Sequence, residues 1–334
     1  MSSISILGSG VVGRATGIGL SSVGHDVTFV DVSEDRLSVL RNEGHATQHV
    51  DNMTLDGTDA VFVAVPTPAS EDGADTSYLE STCKTLGRLL QLTERGSEPK
   101  LLVFRSTMPP GTTRNTLIPA IEAGSGLRAG VDFLICYNPE YLRAYNAVED
   151  FLDFRFLTMG TSEPGDLASH RMKDIFSAFE GATITELSYE EAEYQKYVHN
   201  VFNAVKISYF NEVHAICQAL GVDSNLIGAA VARSAESMWN PLYGTRGGVP
   251  YGGACLPKDT IAFLQFVREQ GMQHLVLEAA IDVNRGLAAS VPAAPSPDKI
   301  DEALNTARAR DMAAPAEQEL ALELGGTEPV AVSR

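Results

Sequence analysis

One cysteine in this sequence has neighbours that suit covalent chemistry. Cys255 lies in the stretch YGGACLPKDT, which spans residues 251–260. The two preceding glycines leave room for a second molecule, and Pro257 suits the first turn of a helix. The cysteine is therefore predicted to stand just before a helix start, a position that stabilises a thiolate nucleophile. These residues alone leave a buried, inert thiol equally open.

Two polar side chains on a predicted helix form a second candidate group. Lys196 and Asn200 are four residues apart, so they lie on one face of that helix. An ammonium and an amide that converge on one point can stabilise an oxyanion. The alternative for such a pair is a solvated helix face.

Polar residues also follow several strand-like runs. The stretches are VPTP (65–68), STMPPGTT (106–113) and NPEYLR (138–143). Ligands in open α/β sheets bind at the carboxyl ends of the strands. The hydroxyl of Thr107 and the carboxylate of Glu140 are thus predicted to orient a water or relay a proton. The alternative assigns these stretches to turn formation and helix capping.

The N-terminal segment predicts a dinucleotide site. An apolar run over 4–7 is followed by the turn GSGVVG over 8–13 and by a helical stretch to about Ser22. A second strand-like run then ends at Asp31, about 20 residues beyond the glycines. This order of strand, tight turn, helix and acidic residue is typical of a nucleotide-binding unit.

Each residue of this unit has a predicted task. Gly8 and Gly10 permit close backbone approach, Gly13 permits tight helix packing, and the helix N-terminus attracts a pyrophosphate. Asp31 suits ribose hydroxyls and repels a 2′-phosphate, which favours NAD over NADP. Arg36 weakens that preference a little.

Further apolar runs alternate with helix-like segments and predict the first domain. They lie at 60–65, 101–106, 133–138, 154–160 and 183–187. Such alternation predicts a parallel, doubly wound sheet. We therefore expect an α/β, Rossmann-type NAD-binding domain over residues 1–187.

The second half of the sequence is predicted to be an all-helical domain over residues 188–286. Residues 189–220 contain no glycine or proline and would form one helix of roughly 45 Å. Its predicted buried stripe comprises Tyr194, Val198, Val201, Val205, Tyr209 and Val213. Further helices are expected over 223–237 and 259–285. Residues 287–334 are rich in alanine and glutamate and are predicted to be a mobile tail.

Composition excludes several classes of protein. Forty-three acidic against 25 basic residues give a net charge of −18, which disfavours a nucleic-acid partner. No apolar run approaches the ~20 residues of a membrane span, and the N-terminus lacks a secretory signal. A cytoplasmic location follows. The four cysteines lie far apart without a histidine cluster, so neither a metal site nor a disulfide framework is expected.

Taken together, these motifs resemble the UDP-glucose/GDP-mannose dehydrogenase family over residues 1 to about 285. The resemblance is carried by GSGVVG with Asp31, VPTP, STMPPGTT, NPEYLR, KYVHN, KISYFNE and YGGACLPKD. It implies that a primary alcohol is oxidised to a carboxylate with two NAD⁺, through a cysteine that captures the aldehyde. It also implies a homodimer formed through the helix 189–220.

The resemblance assigns a role to each reactive side chain. Asp259 and a water near Thr107 would take the alcohol proton, and the Cys255 thiolate would then add to the aldehyde. The thiohemiacetal oxyanion would lie against Lys196 and Asn200 until a second hydride transfer gives a thioester.

The remaining expected site residues follow from the same motifs. Glu140 would assist the water that hydrolyses the thioester. Cofactor contacts are expected at Gly8, Gly10, Val11, Val12, Gly13, Asp31, Arg36, Val65, Pro66, Thr67, Ser106, Thr107 and Lys258. Substrate contacts are expected at Tyr141, Leu142, Arg143, Lys196, Asn200, Trp239, Tyr251 and Gly252.

Three departures from the family pattern concern the substrate. One is that Ala144 and Tyr145 stand where the family usually has Glu-Gly, and Pro250 replaces a glycine before Tyr251. Family members continue into a third α/β domain that binds the nucleotide, where this sequence has only its tail. Trp239 stands where the family commonly has an arginine, so a stacking surface replaces a phosphate ligand, unless the ring is a core or interface anchor. We expect a sugar nucleotide or a related nucleoside, nucleotide or sugar derivative. The alternatives are a two-electron alcohol dehydrogenase and a non-catalytic NAD-binding partner of a complete family member.

Overall fold

The computed structural model describes residues 1–290, apart from 72, 95–97, 144 and 180. The chain divides into two compact units, residues 1–204 and 205–334. The described part of the second unit is residues 205–290. The predicted tail begins at 287, but residues 287–290 still belong to a helix, and the rest of it lies outside the described residues.

The first unit is built on an eight-stranded sheet with the order β10-β9-β8-β7-β4-β1-β2-β3. Its strands are β1 (Ser3–Leu7), β2 (Asp26–Asp31), β3 (Ala46–His49), β4 (Ala60–Val63), β7 (Lys100–Phe104), β8 (Phe133–Tyr137), β9 (Phe156–Thr161) and β10 (Thr183–Ser188). A short hairpin pairs β5 (Ala69–Ser70) with β6 (Gly73–Ala74). All neighbours in the large sheet are parallel except β8 and β9, which meet antiparallel at Tyr137 and Gly160. The predicted fold class is confirmed.

Helices cover both faces of this sheet. They are α1 (Val11–Ser22), α2 (Glu34–Asn42), α3 (Ser77–Leu92), α4 (Ile118–Ser125), α5 (Ala147–Leu152) and α6 (Leu167–Ile175). Alternate side chains of each strand enter different apolar clusters, so Phe62 packs on one face of β4 and Val63 on the other. A 3₁₀ turn at Val50–Asn52 and a π-helical turn at Thr113–Leu117, which leads into α4, complete the unit.

The long helix α7 (Tyr189–Leu220) forms as predicted, but within the single chain its predicted stripe is not buried. Tyr194, Val198, Val201, Val205 and Tyr209 are all exposed in the single chain, and Val213 is half-buried. The buried face of its first two turns carries Tyr189, Ala192, Glu193 and Lys196 instead. This face packs closely on β9, since a Cβ on Gly160 would lie 2.7 Å from the Cβ of Ala192.

The described part of the second unit is helical, as the sequence predicts. After α7 it contains α8 (Ser224–Ser234), α9 (Glu236–Trp239), α10 (Leu256–Glu269) and α11 (Leu275–Ser290). The segment predicted as helical over 259–285 thus contains two helices. They are separated at Gly271, whose φ of +73° is a left-handed conformation that ends a helix.

Candidate functional site

The glycine turn between β1 and α1 takes a shape that needs glycine at two positions. Gly8 has φ of +97°, and a Cβ there would lie 2.7 Å from the carbonyl oxygen of Ala64. A Cβ on Gly13 would lie 1.8 Å from the carbonyl oxygen of Gly8. No atom outside the turn lies within 4 Å of a Cβ built on Gly10. The turn is therefore tightly packed below and open above, which leaves room for a phosphate group.

A cleft of about 610 Å³ opens beside this turn at the carboxyl ends of the strands. Most of the predicted cofactor residues line it. They are Gly8, Gly10, Val11, Val12, Asp31, Arg36, Val65, Pro66, Thr67, Ser106 and Thr107. Glu140 and Arg105 line the same cleft. Its volume and its glycine-walled entrance fit a dinucleotide.

Asp31 stands at the end of β2 with its carboxylate fixed by backbone donors. It accepts hydrogen bonds from the N–H groups of Ser9 (2.6 Å) and Ser33 (2.9 Å), and it is almost fully buried. The guanidinium of Arg36 lies 3.7 Å away. The acid is thus oriented along the cleft wall. The Arg36 cation beside it offsets part of its repulsion of a 2′-phosphate, so NADP is only partly disfavoured.

Two loops on the other side of the cleft are bonded to each other. The Thr67 hydroxyl donates to the carbonyl oxygen of Thr107 (2.6 Å), and the Ser106 hydroxyl donates to the carbonyl oxygen of Val65 (2.5 Å). The stretches VPTP and STMPPGTT therefore form one connected wall. The Thr107 hydroxyl takes part in neither of these two hydrogen bonds.

Lys196 of α7 is buried against the NPEYLR loop. Its ammonium donates to the carbonyl oxygen of Glu140 and lies 3.4 Å from a Glu140 carboxylate oxygen. It also lies 5.0 Å from the centre of the Tyr141 ring. Burial lowers the pKa of Lys196, although the charge of Glu140 acts in the opposite direction. Glu140 is held in turn by the N–H of Leu142, at 2.6 Å.

Asn200, the predicted partner of Lys196 at an oxyanion site, is not buried with it. Asn200 follows one helical turn later and is exposed. The predicted substrate residues Tyr141, Leu142 and Arg143 line a second cavity of about 500 Å³ together with Glu140. The Tyr141 hydroxyl bonds to Thr158 (3.0 Å) and to Gln195, which fixes this loop from below.

The sequence reasoning did not identify Arg105. Its guanidinium is buried, donates to the side-chain oxygen of Asn138 and lines both cavities. Burial lowers its pKa to about 10. A charged residue near the end of the apolar run 101–106 was the available sequence signal. An arginine there is equally typical of the first exposed residue of a loop.

Cys255 and its neighbours lie on the second unit. The cysteine is exposed and is the residue that precedes α10, so the predicted helix start is confirmed. Its carbonyl oxygen accepts the N–H of Asp259 (2.8 Å). The side chains of Lys258 and Asp259 form an exposed ion pair (2.8 Å), which raises the pKa of Lys258.

The loop ahead of the cysteine holds the remaining predicted residues. Both backbone groups of Tyr251 bond to the side chain of Asn284 on α11, at 2.7 Å for its N–H and 3.1 Å for its carbonyl oxygen. Gly252 is exposed, as is Trp239 at the end of α9. Asn284 was not predicted, because a single asparagine within an amphipathic helix carries no distinctive spacing.

The described residues carry neither a membrane-spanning helix nor a metal cluster. No helix there is long and apolar enough to cross a membrane. Within the same residues no group of three or more histidine, cysteine, aspartate or glutamate side chains is arranged to hold a metal ion.

Sequence comparison connects this geometry with known families. The profile described as the UDP-glucose/GDP-mannose dehydrogenase family, NAD binding domain, matches residues 45–180, and that family's central domain matches 190–286. Residues 3–81 also match a profile described as NADP oxidoreductase coenzyme F420-dependent. Two relatives match over most of the chain. The UDP-glucose 6-dehydrogenase AglM of Haloferax volcanii is 34% identical, covering 85% of this chain and 69% of its own, and the GDP-mannose 6-dehydrogenase of Pseudomonas aeruginosa is 33% identical, covering 84% and 68%.

Solved structures give the same result. A ternary complex of GDP-mannose dehydrogenase from Pseudomonas aeruginosa superposes with a TM-score of 0.77 at 30% identity, covering 85% of this chain and 68% of that one. The UDP-glucose dehydrogenase of Pyrobaculum islandicum superposes with a TM-score of 0.64 at 31% identity, with the same two coverages.

Proposed function

Because this chain belongs to the UDP-glucose/GDP-mannose dehydrogenase family, we propose that it oxidises the primary alcohol of a sugar nucleotide, or of a related nucleoside or sugar derivative, to a carboxylate. It is an NAD-dependent dehydrogenase that acts on CH–OH groups, so the predicted family, enzyme class and cofactor are confirmed. The observation that carries the proposal is the buried Lys196, which holds Glu140 at the edge of the dinucleotide cleft.

The first oxidation needs a base for the alcohol proton. Two NAD⁺ molecules, bound in succession, would each supply the acceptor for one hydride from the carbinol carbon. The Asp259 carboxylate, with a water positioned by Thr107, takes the hydroxyl proton as that hydride leaves. The product of this step is an aldehyde, and the second step must keep it bound.

Cys255 retains the aldehyde covalently. Its thiolate forms a bond to the aldehyde carbon, and the carbonyl oxygen becomes an oxyanion. The Lys196 ammonium and the Asn200 amide donate hydrogen bonds to that oxyanion. Loss of a second hydride from the same carbon then converts the thiohemiacetal to a thioester.

Hydrolysis completes the reaction. Glu140 takes a proton from a water whose oxygen adds to the thioester carbon, the carbon–sulfur bond breaks, and the Cys255 thiolate leaves. The Lys196 contact keeps Glu140 oriented for this step. A lowered Lys196 pKa also makes the ammonium a better proton donor to the oxyanion.

The test is the number of NADH formed per substrate molecule. The purified chain is incubated with UDP- and GDP-sugars, other sugar nucleotides, free nucleosides and nucleotides. Two NADH per molecule and a carboxylate product support the proposal and identify the substrate class. One NADH per molecule with aldehyde release would indicate a two-electron dehydrogenase. Absence of turnover until a complete family member is added would indicate a non-catalytic partner.

A homodimer through α7 is part of the same proposal. The exposed face of α7 carries Val198, Val201, Phe202, Val205 and Tyr209, a row of exposed apolar side chains at helical spacing, which supports an interface there. Light scattering of the wild-type chain should give twice the mass of one chain. The Val201→Asp variant should give the monomer mass, and a monomeric wild type would contradict the dimer. The need for NAD favours a cytoplasmic location.

A further inference from the structure

One buried carboxylate beside the cofactor cleft has no part in the mechanism above. Glu193 of α7 is fully buried, and both of its oxygens are occupied. One accepts the N–H of Gly111 at 2.5 Å, and the other accepts the N–H of Thr113 at 2.8 Å and its hydroxyl at 2.6 Å. All three donors belong to the turn that directly follows Thr107.

This turn offers its donors because a helix starts there. Thr113 begins the helical segment that continues into α4, and the first N–H groups of a helix have no partner within it. Gly111 has φ of +88°, which directs its N–H into the same space. A carboxylate at this point satisfies the donors and complements the helix dipole. Burial raises the pKa of Glu193, although its hydrogen bonds act in the opposite direction. Ionisation of this carboxyl group therefore costs free energy.

The position of Glu193 on α7 connects the two loops that matter for the chemistry. Lys196 follows three residues later on the same buried face and holds the loop of Glu140. One turn of α7 therefore carries an anion that fixes the turn after Thr107 and a cation that fixes the loop of Glu140. Glu140 lines the dinucleotide cleft, and so do Ser106 and Thr107, which shortly precede the turn that Glu193 fixes.

We propose that Glu193 is a positioning residue of the dehydrogenase, which sets the place of Thr107 and Ser106 in the wall of the NAD cleft. The inference rests on the proposed function, because Thr107 orients the water of the first step. It assigns Glu193 no contact with NAD or substrate. Its effect passes through the turn over residues 109–113.

The experiment compares two glutamines on the same helix. In Glu193→Gln, one side-chain oxygen still accepts from Thr113, but the new amide N–H₂ faces the N–H of Gly111, and two donors repel. Glu190→Gln is the matched control. Glu190 lies one turn earlier and also connects α7 to this segment, through an exposed ion pair with Arg114 at 2.6 Å. The control therefore removes a connection between the same elements without touching the turn.

NADH affinity is the first readout, because it needs no alcohol substrate. Fluorescence titration should show about tenfold weaker NADH binding for Glu193→Gln and a change of less than twofold for Glu190→Gln. In steady state the kcat of Glu193→Gln should fall by roughly 100-fold, the size expected when a reacting group is displaced by about 1 Å. A deuterated carbinol carbon should then give a larger isotope effect on kcat than in wild type, because hydride transfer becomes slower.

Several outcomes would overturn the inference. They are wild-type NADH affinity and kcat in Glu193→Gln, equal losses in the two variants, or a loss that matches the unfolded fraction measured by circular dichroism. If Glu193→Gln does not fold, Thr113→Val removes one of the three donors and should weaken NADH binding about threefold; an unchanged affinity contradicts the role. A wild type that binds NADH but oxidises no alcohol would refute the proposed function, while the affinity difference would still decide on Glu193.

Discussion

The two units differ in how completely they bury their own apolar side chains. In the first unit, two apolar clusters fill both faces of the sheet, and large side chains such as Phe62 and Phe104 are fully buried. In the described part of the second unit, few apolar side chains are buried. They are Ile216, Cys217, Leu264, Val267 and Ile281. Leu226, Leu242 and Trp239 are exposed by 70%, 79% and 63%.

This difference separates two kinds of site. The dinucleotide cleft lies at strand ends whose positions are set by a closed apolar core, and its lining residues belong to the first unit. The cysteine precedes a helix of a unit whose described apolar side chains are mostly exposed in the single chain. We therefore expect cofactor binding to depend mainly on the first unit, with Lys258 the one predicted contact outside it, and catalysis to depend on the second unit and on assembly.

The largest effect should come from Cys255→Ser. A hydroxyl is a far weaker nucleophile than a thiolate, so formation of the carboxylate should fall by about 1,000-fold or more. NADH affinity should stay unchanged, because the predicted cleft residues other than Lys258 lie in the first unit. Product analysis and NADH titration on the same variant measure the two effects. A Cys255→Ser variant with intact turnover would remove the covalent mechanism.

A pair of leucine truncations tests the difference in burial directly. Leu86 of α3 is fully buried, so Leu86→Ala should lower the free energy of unfolding by ~3 kcal/mol. Leu226 of α8 is mostly exposed in the single chain, and Leu226→Ala should cost less than about 0.5 kcal/mol. Urea unfolding measures both. A cost above ~2 kcal/mol at Leu226 would mean that the assembled protein covers this face, and the contrast between the units would then hold only for the isolated chain.

Replacing Lys196 tests whether the first unit contributes to the chemistry as well as to cofactor binding. Lys196→Met should lower kcat by roughly 100-fold, as for loss of an oxyanion donor. Because burial lowers the pKa of Lys196, wild-type kcat should be lost, as pH rises, before an ordinary lysine near 10.4 loses its proton. The Lys196→Arg variant keeps the charge, so its residual activity should persist to higher pH. Identical alkaline limits in wild type and Lys196→Arg would exclude Lys196 as the titrating group.

The smallest effect is expected at Trp239. If its exposed ring stacks on a base or sugar, Trp239→Ala should raise the substrate KM about fivefold with little change in kcat. Trp239→Phe should retain part of the affinity. An unchanged KM together with a shift to monomer would assign the ring to an interface, in agreement with the other exposed apolar residues of this unit.

Much of the first unit could be predicted from local patterns. The glycine turn, the strand ends and the acid at Asp31 follow from backbone geometry that few sequences satisfy by chance. The buried face of α7 could not be predicted this way, because an amphipathic pattern assigns the apolar side chains of a helix to the interior. Glu193 and Lys196 are buried against that rule, since distant backbone groups satisfy them. Arg105 was also missed because its partner is distant in sequence: Asn138, which accepts its hydrogen bond, follows β8.

The two hydrogen bonds between Asn284 and Tyr251 also limit how far the Cys255 sulfur can move relative to Tyr251. The chain is fixed at Tyr251 by two hydrogen bonds and again at the start of α10, so only residues 252–254 connect the two anchors. Three residues span at most about 10 Å when fully extended. Cys255 can therefore move only a short distance relative to Tyr251. In the proposed mechanism the substrate carbon must therefore be brought to the sulfur, and the surfaces that bind the rest of the substrate would set the accuracy of that placement.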